Sequence, residues 1–403
     1  MNHDIFAMAA TVSLLLNACV ASTQEMTEVV GQETQSSSEL QVVSDGTRPI
    51  PCERLLQPVG AEPKRQPTAR SLRPAQDANA WLVDTTYVLD GGPGKDGIPS
   101  VDQPEFGTVE EVDRQTWLTD ADLVVGTVIG GEVRAYPHPI MDWHEIVNDQ
   151  HGAEALAITY CPLTGSALVW NRVIDGQTTT FGVSGLLFNN NLIPYDRASD
   201  SNWSQMLAQS IHGKRAGTAA ETFPVIEMNW KMWKALFPDA RVLTNDTGRD
   251  RPYGRYPYGA YKVSDTLLFP TSRDDRRLHR KERVLGVRSG SSSKVWVVAD
   301  FPAGGTVVED RVGDAEIVVG GACDGQFATA FLRTLPDGTR LSFRRSEMPL
   351  PILFADDEGN EWDLFGRAVR GPRAGQQLVH ADSYVAYWFA WSTFFPDPEI
   401  ASF

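Results

Sequence analysis

The chain reads NWKMWKALFPD at residues 229–239 and YWFAWSTFFPD at residues 387–397. Both stretches place two tryptophans three residues apart and end in Phe-Pro-Asp. Each proline terminates a helical pattern, because proline cannot continue a helix. The two stretches therefore predict two short helices that close two copies of one structural unit.

Further matches occur in the same order upstream of the two helices. The matched positions are Gly213 with Gly371, Gly217 with Gly375, Trp203 with Trp362, and Cys161 with Cys323. The segments around them alternate between apolar and polar residues, which is typical of strands. We therefore expect an α+β fold, predominantly β, made of two tandem homologous β-rich units that arose by internal duplication, each ending in a short helix.

Turn residues predict the local elements. Residues 123–136 predict a hairpin turning at Gly130, residues 167–181 a hairpin turning at Asp175, and residues 333–343 one turning at Asp337. Asn229 is expected to cap the first helix, and the second is expected to span residues 384–395. The resulting boundaries are a signal peptide at 1–18, a disordered tether at 19–76, an N-terminal extension at 77–114, the first unit at 115–242, a connector at 243–275 and the second unit at 276–403.

The N-terminal residues predict export. The apolar run at residues 5–16 is too short to span a bilayer, and it fits a signal peptide. Leu-Asn-Ala-Cys at residues 16–19 resembles a lipobox, in which Cys19 would be lipidated. The alternative is an ordinary secretory signal cut near Ala21. We expect a cell-envelope lipoprotein, anchored to a membrane on its periplasmic or outer side and held by a tether rich in Ser, Gln and Pro.

The charge of the chain limits its partners. The formal net charge is -16 at pH 7. A surface this acidic repels phosphate backbones, so we expect no nucleic acid as partner. The remaining partners are a membrane, reached through the lipid anchor, and a small-molecule ligand or substrate.

Several motifs of the first unit resemble a known family. They are RAYP at residues 134–137, HEIVND at 144–149, TYCPL at 159–163, FGVSG at 181–185 and YDR at 195–197. These motifs resemble an uncharacterised prokaryotic family catalogued as domain of unknown function 3179, and the resemblance runs from about Gly94 to the C terminus. The family carries no assigned activity. Its members commonly read Cys-Pro-Leu-Cys, whereas Thr164 replaces the second cysteine here, so a redox or metal-binding cysteine pair is not expected.

The candidate reactive residues lie in the first unit. Cys161 is a candidate nucleophile with His144 as its base, or both could bind copper or zinc together with His138. Alternatively, His144 is a hydrogen-bonded sheet residue, and Cys161 is an inert thiol or forms a disulfide bond. The open pairings are Cys161 with Cys323, and Cys52 with either of them. Ser184 is a further catalytic candidate, although its flanking glycines lack the spacing of a nucleophile elbow.

Polar residues around these candidates are expected to bind substrate. They are Arg172, Asn189, Asp196, Arg197 and Gln205. The two arginines have the geometry to bind an anionic group, but Asp196 and Arg197 could equally form a structural ion pair. The sequence thus favours an exported lipoprotein with a polar pocket in its first unit. It leaves open whether that pocket catalyses a reaction, binds a small ligand without catalysis, or serves only the fold of a scaffold.

Overall fold

The computed structural model describes residues 51–56 and 80–402. Short strands dominate, joined by tight turns. The strands before the connector are β1 (Val88–Asp90), β2 (Phe106–Thr108), β3 (Leu123–Ile129), β4 (Glu132–Pro137), β5 (Ile146–His151), β6 (Glu154–Cys161), β7 (Ser166–Asn171), β8 (Val173–Ile174), β9 (Gln177–Thr178), β10 (Phe181–Phe188), β11 (Asn191–Asp196), β12 (Asn202–Ser204), β13 (Gln209–His212), β14 (Thr222–Phe223), β15 (Ile226–Asn229) and β16 (Arg241–Leu243).

The later part of the chain is also built of strands. They are β17 (Arg283–Ser289), β18 (Ser292–Val297), β19 (Thr306–Val312), β20 (Ala315–Ala322), β21 (Phe327–Leu332), β22 (Phe343–Arg345), β23 (Ile352–Asp356), β24 (Glu361–Asp363), β25 (Ala368–Arg370), β26 (Ser383–Tyr387) and β27 (Glu399–Ile400). The α-helices are α1 (Val109–Asp113), α2 (His138–His144), α3 (Trp230–Leu236) and α4 (Trp388–Phe394). The fold is therefore predominantly β, as expected.

The same strand arrangement occurs before and after the connector. One sheet has the order β15-β3-β4-β16-β2, and a later sheet has the order β26-β17-β18-β27. The β16 strand runs parallel to β4, as β27 does to β18. Strands β5–β7 and β19–β21 form antiparallel ladders, and β10–β13 and β22–β25 form two more. We call residues 115–242 the first unit and residues 276–402 the second unit.

Each closing helix places an indole ring against a glycine of the adjacent sheet. A Cβ atom added at Gly126 would lie 2.1 Å from the ring of Trp233. A Cβ atom added at Gly286 would lie 2.1 Å from the ring of Trp391. Glycine is required at both positions because the ring fills the space that any side chain would need.

Two backbone hydrogen bonds join the units in corresponding ways. The Asn229 N–H, just before α3, donates to the Gly325 carbonyl at 3.0 Å. The Tyr387 N–H, just before α4, donates to the Thr164 carbonyl at 2.8 Å. Both acceptors lie in a turn between the second and third strands of a three-strand ladder. One hydrophobic core contains buried tryptophans of both units, so the two pack as one body.

The structure confirms some predicted elements. The β3 and β4 strands form a hairpin with both Gly130 and Gly131 at positive φ, as a primed turn requires. The Asn229 side chain caps α3 by accepting a hydrogen bond from the Met232 N–H at 2.9 Å. The α4 helix is shorter than expected, because residues 383–387 pair with β17 as a strand.

Two predicted hairpins were wrong, because the strands that flank each turn pair with other strands. The turn at Asp175 joins only the two-residue strands β8 and β9, while β7 and β10 enter different sheets. Likewise, β21 and β22 lie in different sheets, and only the isolated bridge between Thr334 and Arg340 flanks the turn at Asp337. An alternating pattern specifies a strand and its buried face, but it does not specify the neighbouring strand.

A disulfide bond joins Cys52 to Cys323, one of the pairings that the sequence left open. Cys161 is a free, buried thiol. Residues 51–56 lie within the predicted tether and contact the second unit, where the Leu55 N–H donates to Glu282 Oε2 at 2.8 Å.

The signal peptide, Cys19 and most of the tether lie outside the described residues. Among residues 51–56 and 80–402, no helix is both long and apolar enough to cross a membrane.

Candidate functional site

His144 ends α2 and is fully buried. Its Nδ1 lies 2.7 Å from the Pro99 carbonyl, and its Nε2 lies 2.6 Å from Tyr253 Oη. Burial lowers the pKa of the imidazole, which favours its neutral form. Both ring nitrogens are thus used in contacts with the N-terminal extension and the connector.

Cys161 ends β6 and is fully buried. Its Sγ accepts a hydrogen bond from the Leu192 N–H at 3.3 Å and lies 3.5 Å from the Asn190 carbonyl. Burial and the nearby carboxyl of Glu145 raise the pKa of the thiol to about 11. None of these contacts joins Cys161 to His144. The thiolate–imidazole pair therefore stays a prediction, and both pKa shifts disfavour its charged form.

The expected copper or zinc ligands do not form a metal site. Within residues 51–56 and 80–402, no group of three His, Cys, Asp or Glu side chains could hold a metal ion. His138 packs against Tyr160, with ring centroids 4.2 Å apart, and its Nε2 lies 3.0 Å from Glu227 Oε2. Its imidazole is directed to residues other than His144 and Cys161, so we derive no metal chemistry here.

The residues expected to contact a substrate make contacts within the fold. The buried Arg172 guanidinium donates to three backbone carbonyls, those of Leu156, Thr179 and Asp149, at 2.7–3.1 Å. Ser184 Oγ accepts a hydrogen bond from the Leu186 N–H at 3.0 Å beside a register shift in β10. These contacts position strands, and they bring neither residue to Cys161.

Asp196 and Arg197 act in different places. Asp196 Oδ2 accepts a hydrogen bond from Trp203 Nε1 at 3.0 Å, as Asp356 does from Trp362 in the second unit at 2.9 Å. The recurrence indicates a structural role. The Arg197 guanidinium instead contacts acidic and hydroxyl groups of the N-terminal extension, among them Asp102 at 3.0 Å.

Asn189 and Gln205 hold loops in place. Asn189 Oδ1 accepts a hydrogen bond from the Ser272 N–H of the connector at 2.8 Å. Gln205 lies in a buried polar network, where its Oε1 accepts hydrogen bonds from Ser166 Oγ at 2.8 Å and Asn191 Nδ2 at 2.7 Å. Ser166 pairs with Cys161 across the ladder of β6 and β7, so this network adjoins the thiol.

The residue that stands out chemically is Glu145, immediately after α2. It is only 4% exposed, and desolvation is the largest influence on its carboxyl. Burial, with a further contribution from Asp142, raises its pKa from 4.5 to about 8. Its backbone is left-handed, with φ 58°, a conformation that a residue with a long side chain rarely adopts.

The second unit also enters its ladder through a left-handed residue. Ile146 pairs with Thr159 at the start of one ladder, and Thr306 pairs with Gly321 at the start of the other. The residue before Thr306 is Gly305, whose φ is 89°. The second unit uses glycine for its left-handed turn, whereas the first unit uses Glu145. The sequence comparison missed Glu145, because its matched stretches place Gly305 opposite His144.

Asp142 is the second buried carboxyl of the site. Its Oδ2 lies 3.4 Å from Lys262 Nζ, and its Oδ1 has no hydrogen-bond partner among the residues described. Desolvation raises its pKa, whereas Lys262 and His138 oppose the shift.

Tyrosines of the connector cover the two carboxyls. Tyr256 and Tyr258 lie with ring centroids 5.6 Å apart, and Tyr261 Oη donates to the Leu163 carbonyl at 2.9 Å. The pKa of Tyr258 is raised by burial and by the nearby charges of Glu145, Cys161 and Asp142. We call Asp142, Glu145, Cys161, Tyr256 and Tyr258 the acidic cluster.

A concavity of ≈ 480 Å³ lies elsewhere, between the two units. Its charged lining residues, Arg288 and Asp382, are paired with each other, and desolvation lowers the pKa of the half-buried His380 to about 4. Because these groups already compensate one another or are neutral, we place the candidate site at the acidic cluster instead.

The acidic cluster has the chemistry of an acid–base site. With a pKa near 8, the Glu145 carboxyl is mostly protonated at neutral pH and can both donate and accept a proton. Perturbed carboxyls with a physical cause are common at functional sites, although structural networks perturb pKa values as well.

Comparisons with known proteins give one match. No curated protein and no solved structure matches this chain. A family model described as "Protein of unknown function (DUF3179)" matches residues 95–398, which include the first unit, the connector, the second unit up to residue 398 and the whole acidic cluster. The chain therefore belongs to the DUF3179 family, whose members share a sequence pattern and no assigned activity.

Proposed function

We propose that this protein is an exported, lipid-anchored envelope protein whose first unit holds a buried acid–base site for a small ligand. Glu145 is the proton donor and acceptor of that site, Asp142 is its second carboxyl, and Cys161 is a neutral thiol beside them. The single observation that carries the proposal is the buried carboxyl of Glu145 on a left-handed backbone position.

We also propose that the two units descend from one duplicated ancestor. The collinear sequence matches, the shared strand order and the two indole–glycine contacts support this origin. Under this proposal the second unit is an internal reference, because it reveals which residues the fold needs without the site. At the place of His138 it carries Val298, and residues 301–307 contain no carboxyl.

Comparison with the second unit distinguishes residues needed for function from residues needed for the fold. A structural residue should recur in both units, as Trp203 and Trp362 do. A glutamate like Glu145 does not recur in the second unit. Its strained backbone opposes folding by about 1–3 kcal/mol, and its buried carboxyl opposes folding as well. A residue that costs stability and is unnecessary to the fold is typical of a functional site.

The Glu145→Gln variant tests this proposal. We expect its unfolding free energy to match that of the wild type near pH 4, where the carboxyl is protonated in both states, and to exceed it at pH 7, because the wild type must then take up a proton to fold. In a chain with ¹³C-labelled glutamate, a carboxyl that titrates near pH 8 should disappear with the substitution.

Glu227→Gln is the matched control. Glu227 is 3% exposed, like Glu145, but it lies 3.0 Å from His138 Nε2 and 3.5 Å from Arg283 Nη2. Removing its charge leaves the buried arginine without that compensation, so this variant should lose about 3 kcal/mol. A comparable loss in Glu145→Gln would assign Glu145 to the architecture and support the scaffold alternative.

A further inference from the structure

We propose that the acidic cluster recognises an organic ammonium group, and that the ammonium of Lys262 occupies the place of this ligand in the closed structure. The inference rests on the proposed function, since it names the ligand class of the same site. Three features support the inference: the carboxylate of Asp142 is incompletely paired, the Tyr256 ring lies beside it, and the side chain of Lys262 can move out to solvent.

The carboxylate has unused acceptor capacity. The Asp142 side chain is 3% exposed, its Oδ2 lies 3.4 Å from Lys262 Nζ, and its Oδ1 has no hydrogen-bond partner in the described part of the chain. A well-formed ammonium–carboxylate hydrogen bond is about 2.7–2.9 Å long. Lys262 therefore compensates the charge of Asp142 only loosely, and a ligand ammonium with freedom to approach can form a shorter bond.

An aromatic face completes the recognition surface. Lys262 Nζ lies 4.1 Å from the centroid of the Tyr256 ring, within the range of a cation–π interaction. The Tyr258 ring stands at 63° to that of Tyr256 and is close enough to Asp142 and Glu145 to be influenced by both. Carboxyls bordered by tilted aromatic rings attract an organic cation and repel an anion.

Lys262 can leave the site, whereas a second lysine nearby cannot. Lys262 ends a single 3-10 turn, Gly259–Lys262, and its side chain is 18% exposed. Lys281 is fully buried, faces the Tyr261 ring at 3.4 Å and donates to the Thr266 carbonyl at 2.7 Å. Lys281 is thus fixed in the fold, but the Lys262 side chain can rotate toward solvent and free the Asp142 carboxylate.

Binding of n-propylammonium to the full-length Lys262→Ala variant tests the inference. This ion matches the atoms from Cγ to Nζ that the substitution removes. We expect saturable heat by titration calorimetry, with a Kd on the order of millimolar for so small a ligand. The control variant Lys231→Ala removes an exposed lysine from α3 and keeps Lys262, so it should bind much more weakly, and the Asp142→Asn, Lys262→Ala double variant should lose the binding.

Hydrogen exchange of the unsubstituted protein gives an independent readout. With n-propylammonium at roughly 50 mM, against an equal concentration of sodium chloride, amides of residues 256–262 should exchange faster as Lys262 is displaced. The inference is overturned if Lys262→Ala binds no amine, or if binding persists without the Asp142 carboxylate. If Lys262→Ala fails to fold, the hydrogen-exchange experiment decides by itself: exchange of residues 256–262 that n-propylammonium leaves unchanged overturns the inference. The Glu145→Gln measurements involve no amine, so the two proposals can fail separately.

Discussion

Gly286 lies directly beneath the indole of Trp391, so close that a Cβ atom there would be 2.1 Å from the ring. Gly126 and Trp233 repeat this contact in the first unit. In each unit the glycine lies in the central antiparallel pair of strands, and the tryptophan lies in the helix that closes the unit. The contact fixes the helix against the sheet.

We expect Gly126→Ala and Gly286→Ala to destabilise the protein by similar amounts, each by about 3 kcal/mol or more, because neither ring can move aside within a packed core. Urea unfolding measures both. Combining Gly286→Ala with Trp391→Leu should recover part of the loss, since the smaller side chain leaves room for the methyl group. Additive losses in that double variant would contradict the contact.

The stability of the protein should fall as the pH rises from about 4.5 to about 8, through the titration of Glu145. Its folded pKa is raised above the unfolded value, so between these values the folded state binds a proton that the unfolded state has released. The resulting loss of stability is at most about 1.4 kcal/mol per pH unit. There is no loss below the unfolded pKa, and the loss is complete above the folded pKa. Unfolding of the wild type and Glu145→Gln across this range checks it, and parallel profiles would refute the assignment.

Thiol counting should separate the cysteines. In the folded chain Cys161 should react slowly with an alkylating reagent, because it is fully buried and its pKa is raised to about 11. Denaturation without reductant should expose it while Cys52 and Cys323 stay protected, and reductant should release both. Rapid alkylation of the folded protein at neutral pH would instead revive Cys161 as a nucleophile.

The Cys52→Ser, Cys323→Ser double variant should lose about 2–4 kcal/mol of stability, because the disulfide closes a long loop and restricts the unfolded chain. Urea unfolding provides the measurement, with Cys161→Ala as a single-thiol control. An unchanged midpoint would mean that residues 51–56 contribute nothing to the stability of the second unit.

If Cys19 is lipidated, the mature chain should partition into the detergent phase of a phase-separating detergent, and Cys19→Ser should remain in the aqueous phase. Mass spectrometry of the N-terminal peptide distinguishes this from cleavage near Ala21. A detergent-phase chain that begins after Cys19 would refute the lipobox interpretation.

Local features of the fold could be predicted from the sequence. The turn at Gly130 and the cap at Asn229 depend on neighbouring residues, so their patterns are visible in the chain. The partners of β7 and β10 are not, because pairing is decided by long-range packing. The disulfide was similarly open, since three cysteines permit several pairings and only the folded chain brings Cys52 to Cys323.

The candidate site was harder to predict than the fold. Arg172 is a plausible anion ligand until the structure shows its guanidinium saturated by backbone carbonyls. His144 and Cys161 appear reactive by residue type, but each makes its contacts with different neighbours. Glu145 is detectable only in the structure, from its burial and its positive φ, because backbone handedness is not written in residue type.

The bond between Cys52 and Cys323 also determines where a pulling force would enter the molecule. If the chain is anchored at Cys19, tension along it reaches Cys52 and divides there, and the disulfide offers a covalent route that bypasses residues 53–322. The load then arrives at the turn between β20 and β21 in the second unit. The first unit, with its acidic cluster, would be mechanically sheltered from the membrane as long as that bond stays oxidised.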